Sequence, residues 1–296
     1  GYPVVLKWTY IETMELSQDN LEQYLTARGM YTPSFFKLRV QTLADLGDLN
    51  QLNSVVFGTF FHEYLHFLQD TTTTFCLMNG LMTVERMKYS AEQVLKHSSA
   101  KIFDLPIDYL KDPTTEINQR LRNLYMGSGE VVDHLELLNV TVEPADFKLP
   151  PPHNKVPTRV MTEVRLPDGG KRALPFGTLC LIEGMAHIAQ NRIEPGTAHA
   201  TQPYRMAELI AARMHPRLAD SDLLVFALCD ACLLTYNPAQ AFHDVLLMMR
   251  DENFKPIDYK EVYRFVFERV RYDDGSLIEF FGSTIDSAIE QYGHYF

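Results

Sequence analysis

The pattern H-E-x-x-H lies within the apolar stretch FFHEYLHFLQD (residues 60–70) and consists of His62, Glu63 and His66. On a helix, histidines four residues apart project from one face and can share a tetrahedral cation through their imidazole nitrogens. The glutamate lies beside that cation, where it can take a proton from a water molecule. The stretch therefore predicts a metal site with two histidine ligands and a glutamate as general base.

The helix that must carry these residues has an unusual distribution of polar side chains. Asn53 or Ser54 predicts its start, and the apolar run continues to about Asp70. At about 100° per residue, the polar side chains fall on one narrow strip, whereas a surface helix has a wide polar face. The pattern predicts a buried helix whose imidazoles and carboxylates need partners. A metal ion satisfies all of them, and a hydrogen-bonded pair of core histidines is the alternative.

A third ligand is expected, because two histidines do not hold a catalytic zinc ion. The stretch LCLIEGMAHIAQN (residues 179–191) is also mainly apolar, with a narrow polar strip that includes Glu183 and His187. Gly184 would allow this helix to approach another closely. If the two helices pack strip to strip, Glu183 joins the two histidines of the first helix around one ion.

These two stretches resemble the gluzincin clan of zinc metallopeptidases, and the resemblance covers only these two helices. In that clan H-E-x-x-H lies on one helix and a glutamate ligand on a following helix, often within E-G-x-A, as in EGMA here. The resemblance implies one zinc ion per chain, held by His62, His66 and Glu183. It also implies hydrolysis of a peptide or protein substrate with Glu63 as general base.

The chain departs from that clan in the distance between the two stretches. His66 and Glu183 are 117 positions apart (183 − 66), which is long for the clan. Residues 71–176 are therefore predicted to be an inserted segment of helices and a β-hairpin. The metzincin continuation is absent, since Gln69 stands where that pattern needs glycine.

A second departure concerns His187, four residues after the predicted glutamate ligand. Thermolysin-like members have an acidic residue there, which orients a histidine ligand. His187 could take that role, be a ligand itself, or stabilise the transition state as a catalytic residue. Asp70 or Asp230 would then be free to orient a metal-binding imidazole.

Peptide hydrolysis also needs a hydrogen-bond donor for the oxyanion, often Tyr or His in this clan. Tyr204, His199, Tyr236 and His243 follow the second helix, and all four are candidates. The predicted hairpin at residues 157–174 could align an extended peptide by strand addition. An ordinary surface hairpin is the alternative.

The elements predicted around these stretches give a mainly α fold (α+β) with one small β-hairpin near the middle, in a single domain spanning residues 1–296. Residues 34–43 are compatible with either a strand or a helix. A strand is predicted at residues 4–10. Helices are predicted at residues 17–29, 53–70, 80–98, 114–127, 178–192, 204–214, 220–235, 238–252, 258–272 and 276–292.

Charge and cysteine content restrict the partners and the compartment. The net charge of −11 argues against non-specific nucleic-acid binding and against docking on an anionic membrane. No apolar run is long enough for a transmembrane helix, and residues 1–10 do not form a signal peptide, although a chain that begins with glycine could have lost a leader. Four cysteines make no disulfide framework, so a cytoplasmic location is expected; Cys229 and Cys232 are predicted to be core residues.

Two other interpretations of a metal site remain open. Glu63 and His66 also form E-x-x-H, the spacing of di-iron helical bundles, but that site needs a second such pair and further glutamates. Alternatively, the metal only stabilises a binding or regulatory module. That interpretation predicts a closed shell of four ligands, with His187 as the fourth.

Overall fold

The computed structural model confirms a mainly helical (α+β) fold. It describes residues 28–32, 37–43, 45–96, 113–151, 153–272, 275–277, 279 and 282–286. The helices are α1 (Ser54–Thr72), α2 (Thr74–Lys96), α3 (Pro113–Met126), α4 (Thr178–Ile193), α5 (Met206–Met214), α6 (Pro216–Ala219), α7 (Asp222–Leu233), α8 (Pro238–Asp251) and α9 (Tyr259–Arg269). The strands are β1 (Gly29–Thr32), β2 (Lys37–Val40), β3 (Glu136–Pro144), β4 (Thr158–Arg165), β5 (Lys171–Phe176), β6 (Arg271–Tyr272) and β7 (Gly275–Ser276).

The largest described sheet is antiparallel in the order β3-β4-β5. The β4–β5 pair, in which Thr162 lies opposite Leu174, is the hairpin expected at residues 157–174. Strand β3 was not expected; Thr141 lies opposite Met161 in its pairing with β4. Val160 and Val164 of β4 are buried in the main core, so the sheet contributes one face to it.

Helix α1 begins at the predicted position, because the Asn53 side chain accepts a hydrogen bond from the backbone N–H of Val56. It packs against α4, and the two helices approach closely at Gly58, where a Cβ atom would lie 3.3 Å from the Gln190 side chain. This is the strip-to-strip packing expected from the two sequences.

The burial of α1 differs from the expectation of a helix buried all round. Its buried residues are the polar strip and small neighbours, which pack on α4 and β1, whereas Tyr64 on the aromatic side is 37% exposed. In the described part of the chain, the aromatic face is therefore only partly covered. The buried residues of α1 are Gly58, Thr59, His62, Glu63, Leu65 and Gln69.

Helix α7 forms the centre of the main core and packs against α4 and α9. Cys229 and Cys232 are both fully buried free thiols in it, as predicted. Such a core fixes the position of α4, and with it the position of Glu183.

Several predicted elements have different boundaries or lie outside the described residues. Gly29, expected to end a helix, begins strand β1, and Lys37–Val40 is a strand. Helix α2 begins at Thr74 rather than at residue 80. The predicted strand at residues 4–10, and most of the predicted helices at 17–29 and 276–292, lie outside the described residues. Among the described helices, none combines the length and the apolar character that spanning a bilayer requires.

Candidate metal centre

The packing of α1 on α4 brings the three predicted ligands together. Nε2 of His62 and Nε2 of His66 lie 3.4 and 3.5 Å from Oε2 of Glu183. One ligand atom from each of the three residues lies within 4.8 Å of the other two. The ligands come from two helices, and His66 and Glu183 are 117 positions apart in the sequence. Together the three residues form one compact group of nitrogen and oxygen ligands.

Two polar atoms of this group are buried and lack hydrogen bonds. His62 is only 7% exposed, and neither its Nδ1 nor Oε2 of Glu183 has a hydrogen-bond partner. Nε2 of each imidazole lies close to the Glu183 carboxylate, but neither contact has the geometry of a hydrogen bond. Because an unpaired buried carboxylate oxygen costs free energy, a cation bound to Oε2 of Glu183 would stabilise this arrangement. Two imidazole nitrogens and one carboxylate oxygen are a ligand set used by catalytic zinc.

The metal-free centre holds a charged His66–Glu183 pair. Burial by itself lowers the pKa of His66, but the attraction of Glu183, its close contact and the hydrogen bond to Gln69 outweigh burial and raise it to about 9. Burial raises the pKa of Glu183, but the positive charge of His66 and the contacts with His62 outweigh burial and hold it well below its usual range. At neutral pH a proton therefore occupies the position that a metal would take.

Zinc binding is expected to release about one proton at pH 7.5. The affinity for zinc is expected to rise about tenfold per pH unit up to about pH 9. The reason is that His66, with a pKa of about 9, must lose its proton before Nε2 can bind a metal. Isothermal titration calorimetry in buffers of different ionisation enthalpy measures this release. Binding without proton release at pH 7.5 would contradict the charged pair.

The same pair gives the pH dependence of the metal-free fold. Glu183 has a lowered pKa, so its contribution to the free energy of unfolding is present above its ordinary value of 4.5 and is lost on acidification. His66 has a raised pKa, so its contribution is complete below its ordinary value of 6.5 and is lost as the pH rises through about 9. The pair therefore stabilises the metal-free protein most between these two ordinary values.

Gln69 orients the ring of His66. Nδ1 of His66 lies 2.9 Å from the amide oxygen of Gln69, and the Gln69 amide nitrogen donates to the backbone carbonyl of Ile182 on α4 at 3.2 Å. With its proton on Nδ1, His66 presents an unprotonated Nε2 to a metal. Gln69 lies on the predicted polar strip, and its position there was the available signal for this role.

The two aspartates expected as orienting residues have other contacts. Asp230 accepts a hydrogen bond from the hydroxyl of Tyr263 at 2.7 Å. Asp70 interacts with Tyr31 and Cys76, and burial raises the pKa of its carboxyl. Hydrogen-bond orientation of His66 therefore comes from an amide rather than from a carboxylate.

Strand β1 lies directly against the predicted general base, Glu63. A Cβ atom on Gly29 would lie 2.7 Å from Cγ and Oε1 of Glu63, so only glycine allows this approach. Burial raises the pKa of Glu63, while His62, His66 and a backbone hydrogen bond from Tyr31 partly offset that rise. The strand beside Glu63 is thus β1. Its role was missed because the sequence around Gly29 matched a helix end.

His187 has no place among the three ligands. Its Nδ1 lies 2.9 Å from Nδ1 of His199, and its Nε2 lies 3.9 Å from the Glu208 carboxylate. His199 and Tyr204 both pack on His62, with ring centroids 5.5 and 6.2 Å away.

The other two candidate oxyanion donors have different neighbours. Tyr236 packs against Tyr125, and Nδ1 of His243 lies 2.9 Å from the carboxylate of Asp244. The structure thus favours His199 and Tyr204 among the four candidates.

Among the described residues, His62, His66 and Glu183 are the one group of side chains whose ligand atoms lie close enough together to hold a metal ion. A di-iron site would need a second set of histidine and carboxylate ligands beside it, and those same residues form none. No protein-family model, curated protein or solved structure matches the chain. The function must therefore be inferred from the chemistry of the centre itself.

Proposed function

We propose that the protein is a zinc-dependent metallopeptidase. One observation carries this proposal: three ligand atoms from His62, His66 and Glu183 lie within 4.8 Å of one another, and the carboxylate of Glu63 adjoins them. A ligand set of this kind with a neighbouring base fits metal-assisted hydrolysis. The match to H-E-x-x-H and to a downstream glutamate supports peptide bonds as the substrate class.

Each residue of the centre has a separate role in this proposal. His62, His66 and Glu183 would hold the zinc ion, which polarises a carbonyl group and lowers the pKa of water when bound. Glu63 takes a proton from the attacking water and later delivers it to the leaving amine. The raised pKa of Glu63, caused by its burial, makes its carboxylate a stronger base for the uptake of that proton.

The position of His187 supports a catalytic centre over a purely structural one. A structural zinc site normally has four protein ligands. His187 was the expected fourth ligand, but it bonds to His199 and lies outside the group. Three protein ligands with one position left for water or substrate are characteristic of catalytic sites.

Removal and return of the metal test the proposal. The purified protein is expected to contain about one zinc ion per chain and to cleave denatured casein or a fluorogenic peptide library. A chelator should abolish cleavage, and added zinc should restore it, because the base alone cannot activate water sufficiently at neutral pH. Mass spectrometry of the products should show new amino and carboxyl termini. A zinc-loaded protein that melts at a higher temperature than the metal-free form, yet cleaves nothing, would instead support a structural metal site.

A further inference from the structure

A pair of histidines lies beside the centre and is not explained by metal binding. His187 is on α4, one turn after Glu183, and His199 is in the loop that follows α4. Their Nδ1 atoms are 2.9 Å apart, and their ring centroids are 5.1 Å apart. Only one proton fits between two neutral imidazoles at this distance. The tautomer of one ring therefore determines that of the other.

The ring of His199 is fixed by packing and faces the metal ligands. It stacks on Tyr204, with centroids 4.5 Å apart and an angle of 24°, and it meets the His62 ring edge-on at 5.5 Å. Its Nδ1 is used by His187, and in the described part of the structure its Nε2 makes no hydrogen bond. Nε2 is therefore the atom of His199 that is available to a substrate at the centre.

We propose that His187 donates its Nδ1–H to His199 and thereby holds His199 in the tautomer whose Nε2–H stabilises the oxyanion of peptide hydrolysis. His199 is then a catalytic residue, and His187 is a positioning residue. This inference rests on the proposed peptidase function. It gives His187 a role that neither a metal ligand nor a simple core histidine would have.

The direction of the hydrogen bond follows from the chemistry at both ends of the pair. At the substrate end, an oxyanion needs a donor, and an unprotonated Nε2 would repel it. Because Nδ1 of His199 contacts His187, the donor to the oxyanion must be Nε2, which carries a proton only in the tautomer whose Nδ1 is unprotonated. At the other end, an ionised Glu208 would pull the proton to Nε2 of His187. Oε2 of Glu208 lies 3.9 Å from Nε2 of His187, beyond hydrogen-bond distance, and makes no hydrogen bond, so the Nε2 of His187 has no acceptor there to hold the proton.

Three substitutions of His187 separate this role from a structural one. His187→Asn keeps an N–H donor near the position of Nδ1, His187→Asp offers only acceptors when ionised, and His187→Leu offers neither. Loss of an oxyanion donor costs roughly 10²–10³-fold in kcat. We expect this loss, with KM little changed, in His199→Ala, His187→Asp and His187→Leu. His187→Asn should stay within about tenfold of wild type, because the preserved donor leaves the proposed stabilisation intact.

The zinc content and melting temperature of each variant establish that it is folded and loaded. All four variants should retain about one zinc ion per chain. Loss of zinc from folded His187 variants would show that His187 is a ligand and would overturn the proposal. Equal kcat in His187→Asn and His187→Asp would overturn it as well, because the donor would then be irrelevant.

Nitrogen-15 spectra of the imidazoles in the zinc-loaded wild-type protein provide a test that needs no activity. The expected signature is a protonated Nε2 and an unprotonated Nδ1 in His199; the opposite tautomer would refute the inference. A wild-type protein that binds zinc but cleaves no peptide would refute the proposed function. A cleaving protein with the opposite tautomer would refute only the role of the histidine pair.

Discussion

Replacing Glu63 by glutamine is expected to abolish peptide hydrolysis while leaving zinc bound. Glutamine has nearly the same shape but cannot take a proton from water, and loss of a general base costs roughly 10²–10⁴-fold in rate. The three ligand atoms come from other residues, so the metal content should stay at about one per chain. The measurements are kcat/KM on the peptide library and zinc content by mass spectrometry.

The stability of the Glu63→Gln variant gives a further check. Burial raises the pKa of Glu63, which means that the folded protein disfavours its charged form. Removing that charge should leave the free energy of unfolding equal to or higher than that of the wild type, as is common at functional sites. A variant that loses both activity and stability would therefore not support a role confined to catalysis.

Asp230→Asn is the matched control for that substitution. Asp230 is also a carboxyl group whose pKa is raised by burial, but it pairs with Tyr263 and not with the centre. Its replacement by an amide should leave kcat/KM and zinc content close to wild type. If Glu63→Gln lost its zinc while Asp230→Asn kept it, Glu63 would be a ligand rather than the base.

The parts of the centre that depend on local sequence were predictable. The Asn53 cap and the spacing of the apolar residues predict helix α1. Residues four positions apart on this helix necessarily share a face. The same reasoning applied to α4 placed Glu183 on a matching strip. The contact between these two strips was a less direct prediction. It was made because each strip contains polar side chains that need partners.

The parts that depend on distant segments were not predictable from the sequence. A glycine after a polar helical stretch usually indicates a helix end, and Gly29 was interpreted in that way. Glycine is required at position 29 because β1 approaches Glu63 closely, and this contact exists only after the chain has folded. Likewise, no local signal distinguishes His199 from Tyr236 or His243, because only the loop after α4 brings one of them to His62.

The burial of α1 illustrates why its polar strip was informative even though one inference from it was wrong. The apolar residues predicted a helix surrounded by protein, yet the polar strip is the side packed against α4. Burying polar groups in a contact between two helices costs free energy, and α1 and α4 both bury several polar side chains in their contact. Such a loss of stability is typical of functional sites, where polar residues are retained for the reaction they perform.

Replacing Glu183 by alanine is expected to weaken zinc binding by more than about a hundredfold, since loss of an outer hydrogen-bond partner alone costs 10–100-fold. At a free zinc concentration about 100 times the wild-type Kd, zinc stabilises the wild-type fold by about 2.7 kcal/mol. A hundredfold weaker site would be stabilised by only about 0.4 kcal/mol under the same conditions. The shift in unfolding free energy on zinc addition therefore measures the loss directly.

Glu194→Ala is the matched control, because Glu194 directly follows α4 and its side chain is 18% exposed, as is that of Glu183. Its carboxylate pairs with Arg28 rather than with the histidines, so zinc binding should be retained. Without Glu183, burial is opposed less strongly at His66, and the pKa of that imidazole should fall below its raised value of about 9. Proton release on zinc binding at pH 7.5 should then disappear together with the tight site. Normal zinc affinity in Glu183→Ala would show that the third ligand is a different residue.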